Sequence, residues 1–89
     1  MYSREVVVQH ELGIHARPAS KFIQKANEYK STVWIIKEDR KMNAKSLLGV
    51  LSLGVARGTN ITIIAEGSDE ELAVNALVEL VNSNFPEGE

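Results

Sequence analysis

Apolar and polar positions follow two different periods along this chain, and each change of period marks an element. At residues 5–9 the run Val6, Val7, Val8 is β-branched and predicts a strand with Val6 and Val8 on one face, closed by Gly13. Over residues 16–27, Ala19, Phe22, Ile23 and Ala26 stand at i, i+3, i+4 and i+7, one stripe of a helix about twelve residues long. Thr32–Lys37 is a second β-branched and aromatic run, and a charged turn at 38–40 followed by residues 41–43 makes it a hairpin with a short edge strand. Ser46 can cap a second helix over residues 47–53, short and unusually apolar, with Gly54 or Gly58 near its end. Asn60–Glu66 puts Ile61, Ile63 and Ala65 on one face of a last strand. Ser68 and Glu71 have the spacing of a capping box, Asp69 and Glu70 add favourable charge, and Ala73, Ala76, Leu77 and Leu80 repeat at helical spacing to near residue 82. Phe85, Pro86 and Gly88 break that pattern, so residues 84–89 are expected to fray.

The order βαββαβα predicts an α+β fold with three helices on one face of a four-stranded, mostly antiparallel sheet. Ferredoxin-like modules begin in much the same way, so the architecture alone constrains function little. Strand parity that turns Val6, Val8, Val33, Ile35, Ile61 and Ile63 toward the helices turns Val7, Trp34, Ile36 and Ile64 to the open side. That apolar set reads either as a patch for weak dimerisation of a mostly monomeric protein or as scattered surface hydrophobes that add β-propensity.

Composition narrows the picture. Residues 1–89 make one domain with no cleft between domains, and a chain of this size buries roughly 60 to 65% of its unfolded surface. It contains no cysteine, which removes disulfides, thiolate zinc sites and thiol nucleophiles and makes the cytoplasm the default compartment. The longest uncharged run, residues 46–56, is far short of the ~18 apolar residues of a membrane span, and no signal pattern opens the chain; no membrane insertion and no processing are expected. A net charge of −2 provides no general field for nucleic acid, although Arg17, Lys21, Lys41, Lys45 and Arg57 are candidates for a local basic face that suits acidic partner proteins. His10 is the only histidine besides His15, and no cluster has metal-ligand spacing, so neither a metal nor a cofactor is expected. His10 itself reads as an exposed residue at a strand end.

The candidate chemistry sits at residues 13–23. A helix entered at Ala16 turns its unpaired N–H groups and the positive end of its dipole toward His15, an anion site. Arg17 has the wrong sign for that dipole, at a cost of roughly 0.3 to 1 kcal/mol, unless an anion visits. Pro18 suits the first turn, where its missing N–H is not needed. A neutral imidazole at His15 can accept a phosphoryl group on one ring nitrogen, with the phosphate among the Ala16 and Arg17 N–H groups; the plainer reading is that His15 only caps the helix. Ser46 is likewise either a simple N-cap or a phosphorylation site. Leu47, Leu48 and Leu51 lie away from Val50 and Leu53, and make either a docking patch or part of a wide core face.

Gly13-Ile14-His15-Ala16-Arg17-Pro18-Ala19, followed by Lys45-Ser46-Leu47-Leu48-Gly49-Val50-Leu51-Ser52-Leu53-Gly54, resembles the histidine-containing phosphocarrier (HPr) family of the bacterial phosphoenolpyruvate-dependent sugar phosphotransferase system. The resemblance spans nearly the whole chain and implies an open-faced β-sandwich. It implies that His15 takes a phosphoryl group at Nδ1 from enzyme I and passes it to the IIA domain of a sugar permease, with Arg17 neutralising the phosphate. Ser20, Gln24, Leu47, Leu48, Leu51 and Ser52 match the surface the family offers to both partners. The stretch around Ser46 looks like the form modified by an HPr kinase/phosphorylase, which implies regulation through phospho-Ser46 and binding to the CcpA repressor, with Arg57 as a contact. Such a protein is no stand-alone enzyme and turns over only with its partners. The presence of His15 argues against the Crh-type paralogue, which lacks this histidine. Leu12 departs from the family, where a polar residue is common. Two rival readings are a mainly regulatory protein acting through phospho-Ser46, and a ligand-binding module of ferredoxin-like type.

Overall fold

The computed structural model describes residues 1–11 and 13–86; the departure at Leu12 and the end of the tail, 87–89, lie outside the described residues. The elements are β1 (Tyr2–Val7), α1 (Ala16–Ala26), β2 (Thr32–Lys37), β3 (Arg40–Asn43), α2 (Leu47–Ser52), β4 (Asn60–Glu66) and α3 (Glu70–Asn82). They form a single sheet in the order β1-β4-β2-β3, and every pairing is antiparallel rather than most of them. The two central strands, β4 and β2, are apolar or β-branched on both faces, with Ile61, Ile63, Ala65, Val33 and Ile35 buried and Thr62, Ile64, Trp34 and Ile36 half-covered.

Alternation within the strands decides what the helices cover. Val6, Val33, Ile35, Ile61, Ile63 and Ala65 point to one side and are buried there with Ala19, Phe22 and Ala26 of α1 and Ala73, Val74, Leu77, Val78 and Val81 of α3. Val50 and Leu53 extend this core, and Ile23 packs at its margin. The open side holds Val7, Trp34, Ile36 and Ile64, as parity requires.

Three expectations need correction. Strand β1 begins at Tyr2, ahead of its β-branched run, because β4 pairs with it from Tyr2↔Ala65 to Val7↔Asn60. Its polar residues are held by tertiary contacts: Arg4 donates to Asn75 Oδ1 at 3.0 Å, and Glu5 accepts from Asn60 at 2.7 Å. The start of α3 lies one residue later than the Ser68–Glu71 spacing suggests. Asp69 is the N-cap residue, and Gly67 N–H donates to Glu70 Oε1 at 3.1 Å. The Asp69 carboxylate is used elsewhere, accepting from Lys30 N–H, Ser31 N–H and the Ser31 hydroxyl, which ties the loop before β2 to the entrance of α3. Ser31 is buried, so its two bonds to Asp69 satisfy polar groups cut off from water.

The third correction concerns the tail, which is ordered through Pro86. Asn84 has φ 60°, its N–H donates to Val81 O, and Phe85 N–H donates to Leu80 O. This is a Schellman closure of α3, with Phe85 in the position whose side chain folds back on the helix. Phe85 is only 3% exposed.

Candidate functional site

Between β1 and α1, Val8 and Ile14 are pinned to the segment between α2 and β4. Val8 N–H donates to Thr59 O at 2.9 Å and Gly58 N–H to Val8 O at 2.7 Å; Ile14 N–H donates to Val55 O at 2.9 Å. Gly13 closes the turn with its N–H on His10 O and φ 71°. A Cβ there would lie 2.2 Å from Val55 O, so the approach of the two backbones requires glycine. Ile14 and Val55 are buried beside this junction.

His15 emerges from the pinned loop as the N-cap residue of α1, with extended backbone, and its carbonyl accepts the first helical bond from Ala19 N–H at 2.8 Å. Its ring makes no capping hydrogen bond, and the residue is exposed. Capping is therefore done by its backbone alone, and the imidazole is available for other chemistry. The first turn contains no acidic residue. Ala16 and Arg17 are exposed, Pro18 is buried and brings no N–H, so the helix end presents the Ala16 and Arg17 amides beside the imidazole.

Two rings behind His15 escaped the sequence reading. The His10 ring lies 5.8 Å from the His15 ring and 6.0 Å from Phe85, edge to face with the latter. His10 is therefore half-buried rather than an exposed strand-end residue. Lys21 Nζ donates to Pro86 O at 2.7 Å and ties the same segment to α1. The signal was present as Asn84-Phe85 just beyond the C-cap Ser83, the left-handed residue and apolar follower of a Schellman closure.

Helix α2 packs on α1 and β3. Ser46 caps it, accepting from Gly49 N–H at 3.0 Å, and is half-buried. Leu48 is 81% and Leu47 42% exposed, while Leu51 is half-buried against the core margin. Ser52 is exposed, its hydroxyl donating to Gly49 O. Arg17, Ser20 and Gln24 follow one another at i, i+3 and i+7 along α1, Ser20 half-buried and Gln24 exposed. Gln24 also lines a shallow groove with Lys21, Lys25, Leu80 and Pro86. Of the five cations proposed for a basic face, Lys41 stands apart on the other side of the sheet. Lys41 lies on the open side of the sheet with Nζ 4.5 Å from the Trp34 ring, and Lys45 donates to Tyr29 O at 2.8 Å. Arg57 is exposed beyond α2. Among the described residues, no three His, Cys, Asp or Glu side chains gather as metal ligands, and no helix is long and apolar enough to cross a membrane.

Comparison with known proteins agrees with this geometry. Residues 2–83 match the family model described as the PTS HPr component phosphorylation site. The chain is 42% identical to the phosphocarrier protein HPr of Neisseria meningitidis serogroup A over 89 residues, all of both chains. It is 43% identical to the HPr-like protein Crh of Bacillus subtilis over 81 residues, covering 91% of this chain and 95% of the relative. The crystal structure of HPr-C-His from Thermoanaerobacter tengcongensis superposes with a TM-score of 0.94 at 43% identity, covering both chains completely. With its antiparallel four-stranded sheet, three helices and full-length match, the chain belongs to the HPr family of phosphocarrier proteins of the phosphotransferase system.

Proposed function

We propose that this phosphocarrier accepts a phosphoryl group on His15 from phospho-enzyme I and delivers it to the IIA domain of a sugar permease. The observation that carries the reading is an exposed imidazole at the entrance of α1 that takes no part in capping the helix. The lone pair of the unprotonated Nδ1 attacks phosphorus as the donor's bond to phosphorus breaks, and delivery to the acceptor reverses the roles. The Ala16 and Arg17 amides and the Arg17 guanidinium offset the charge of the bound phosphate. Gly13 and the Ile14–Val55 bond hold the loop so that this arrangement exists before a partner arrives.

Leu47 and Leu48, with Leu51, Ser20, Gln24 and Ser52 around them, form the docking surface for both partners. Donor and acceptor therefore bind in turn, through a small interface that releases quickly. Ser46 is the regulatory position, modified by an HPr kinase/phosphorylase. A phosphate there adds about −1.5 to −2 charge beside the exposed leucines, which weakens docking of enzyme I and favours binding to the CcpA repressor, with Arg57 as a contact. The protein acts in the cytoplasm, where these partners and phosphoenolpyruvate meet.

The test is incubation with phosphoenolpyruvate and an enzyme I from the same organism. An acid-labile gain of one phosphoryl group, absent in His15→Ala, is expected. No adduct would overturn the carrier reading and leave the regulatory one, in which phospho-Ser46 is the main signal.

A further inference from the structure

The helices cover one face of the sheet, and the other face carries an apolar centre between two opposite charges. Trp34 and Ile64 are a cross-strand pair, and Ile36 stands opposite Thr62 on the same side; all four are half-buried, with Val7 exposed at the margin. The register places these residues in two level rows running across the sheet. One is Ser3, Ile64, Trp34, Asn43, and the other is Glu5, Thr62, Ile36, Lys41. Glu5 and Lys41 thus stand at one level on opposite edge strands. Both are held: Glu5 accepts from Asn60 Nδ2 at 2.7 Å, and the Lys41 ammonium lies over the Trp34 ring.

We propose that this face binds a second copy of the chain, sheet on sheet, about a two-fold axis parallel to the strands. Sheets stack about 10 Å apart with their strands roughly aligned. Rotation about that axis keeps each row at its level and reverses its order. Glu5 then meets Lys41 of the second copy, Lys41 meets its Glu5, and Trp34 meets its Ile64. Glu66, at the level of Thr32, comes over Thr32 of the second copy rather than over another carboxylate. A two-fold axis across the strands instead sets each edge strand over its own copy and gathers like charges along one edge. Charge therefore selects a single arrangement, and its self-complementarity identifies the occupant as another copy rather than an unrelated protein. In the dimer Lys41 exchanges the indole face for a carboxylate, and the indole exchanges the ammonium for Ile64. Helices α1 and α2 lie on the far side, so His15, Leu47 and Leu48 of both copies stay open.

Sedimentation velocity and Trp34 fluorescence over a dilution series from millimolar to low micromolar chain test this. A concentration-dependent sedimentation coefficient is expected, together with a red shift of Trp34 emission on dilution. Glu5→Lys alone and Lys41→Glu alone each weaken association by about tenfold or more, and the two together in one chain restore it. Thermal unfolding of each variant reports its folding; should Glu5→Lys fail to fold, Glu5→Gln keeps an acceptor for Asn60 while removing the charge, and must also weaken association. A monomer at every concentration would overturn the proposal. So would association that ignores the single charge changes, or that the double variant fails to restore, since either places the contact on another surface or partner.

Discussion

Gly13→Ala is the sharpest probe of how the candidate site is held, because a second glycine supplies its control. Gly13 and Gly54 both have left-handed backbone, with φ 71° and 62°. A Cβ at Gly54 meets nothing within 4 Å, whereas one at Gly13 lies 2.2 Å from Val55 O. Both alanines face the left-handed conformation, which costs about 1–2 kcal/mol, and both gain the same small stabilisation from a stiffer unfolded chain. Only Gly13→Ala must also move the Val55 carbonyl by about 1 Å to reach ordinary contact, which strains the 2.9 Å bond from Ile14 N–H. That donor is on a buried residue, so losing the bond costs about 1–3 kcal/mol more. The expected totals are about 2–4 kcal/mol for Gly13→Ala and about 1 kcal/mol for Gly54→Ala. Urea unfolding measures both, and for a domain of this size the difference corresponds to a Tm gap of at least about 5 °C. Under conditions where Gly13→Ala is still folded, its phosphoryl acceptance from enzyme I should be slower than that of Gly54→Ala. Equal destabilisation of the two within about 0.5 kcal/mol would refute the claim that backbone contact with Val55 sets the loop.

Other parts of the fold give further expectations. The Asp69 carboxyl is held below its ordinary range first by the Ser31 hydroxyl, then by the Lys30 and Ser31 amides. Because its folded pKa is depressed, its stabilisation is complete above the ordinary carboxylate range and is lost as pH falls through that range and on through the lower folded value. Thermal unfolding of Asp69→Asn should show lower stability at neutral pH and a shallower loss on acidification; an unchanged slope would remove Asp69 from the acid response. Glu38, in the hairpin turn, has φ 58°, so Glu38→Gly should stabilise by about 0.5–1 kcal/mol in urea unfolding, and a loss would show that the side chain holds the turn. Phe85→Ala should cost about 3–5 kcal/mol and shift the His10 ring resonances; a cost below about 1 kcal/mol would return residues 84–86 to a frayed tail. Aspartate caps a helix as well as serine does, so Ser46→Asp should keep the unfolding midpoint while lowering phosphoryl acceptance about tenfold, and full acceptance would separate Ser46 from docking.

Periodicity by itself determined the element order, the four-stranded antiparallel sheet with its buried set Val6, Val33, Ile35, Ile61 and Ile63, and the apolar stripe of α1. These are readable because alternation and the i, i+3, i+4 spacing are local consequences of backbone geometry, and burial follows from them. The placing of His15 at a helix entrance and of Ser46 as an N-cap was legible for the same reason. The early start of β1 was not, because Ser3 and Arg4 have no strand signal and are strand only through pairing with β4. Nor was the cap of α3, where Ser68 and Asp69 have equal claims until Lys30 and Ser31, far away in sequence, engage the Asp69 carboxylate. The placing of Lys41 on the open side, over Trp34, and of His10 between His15 and Phe85 was likewise decided by tertiary structure. Side chains from opposite ends of the chain meet only after the core has closed, and no local spacing encodes such a meeting.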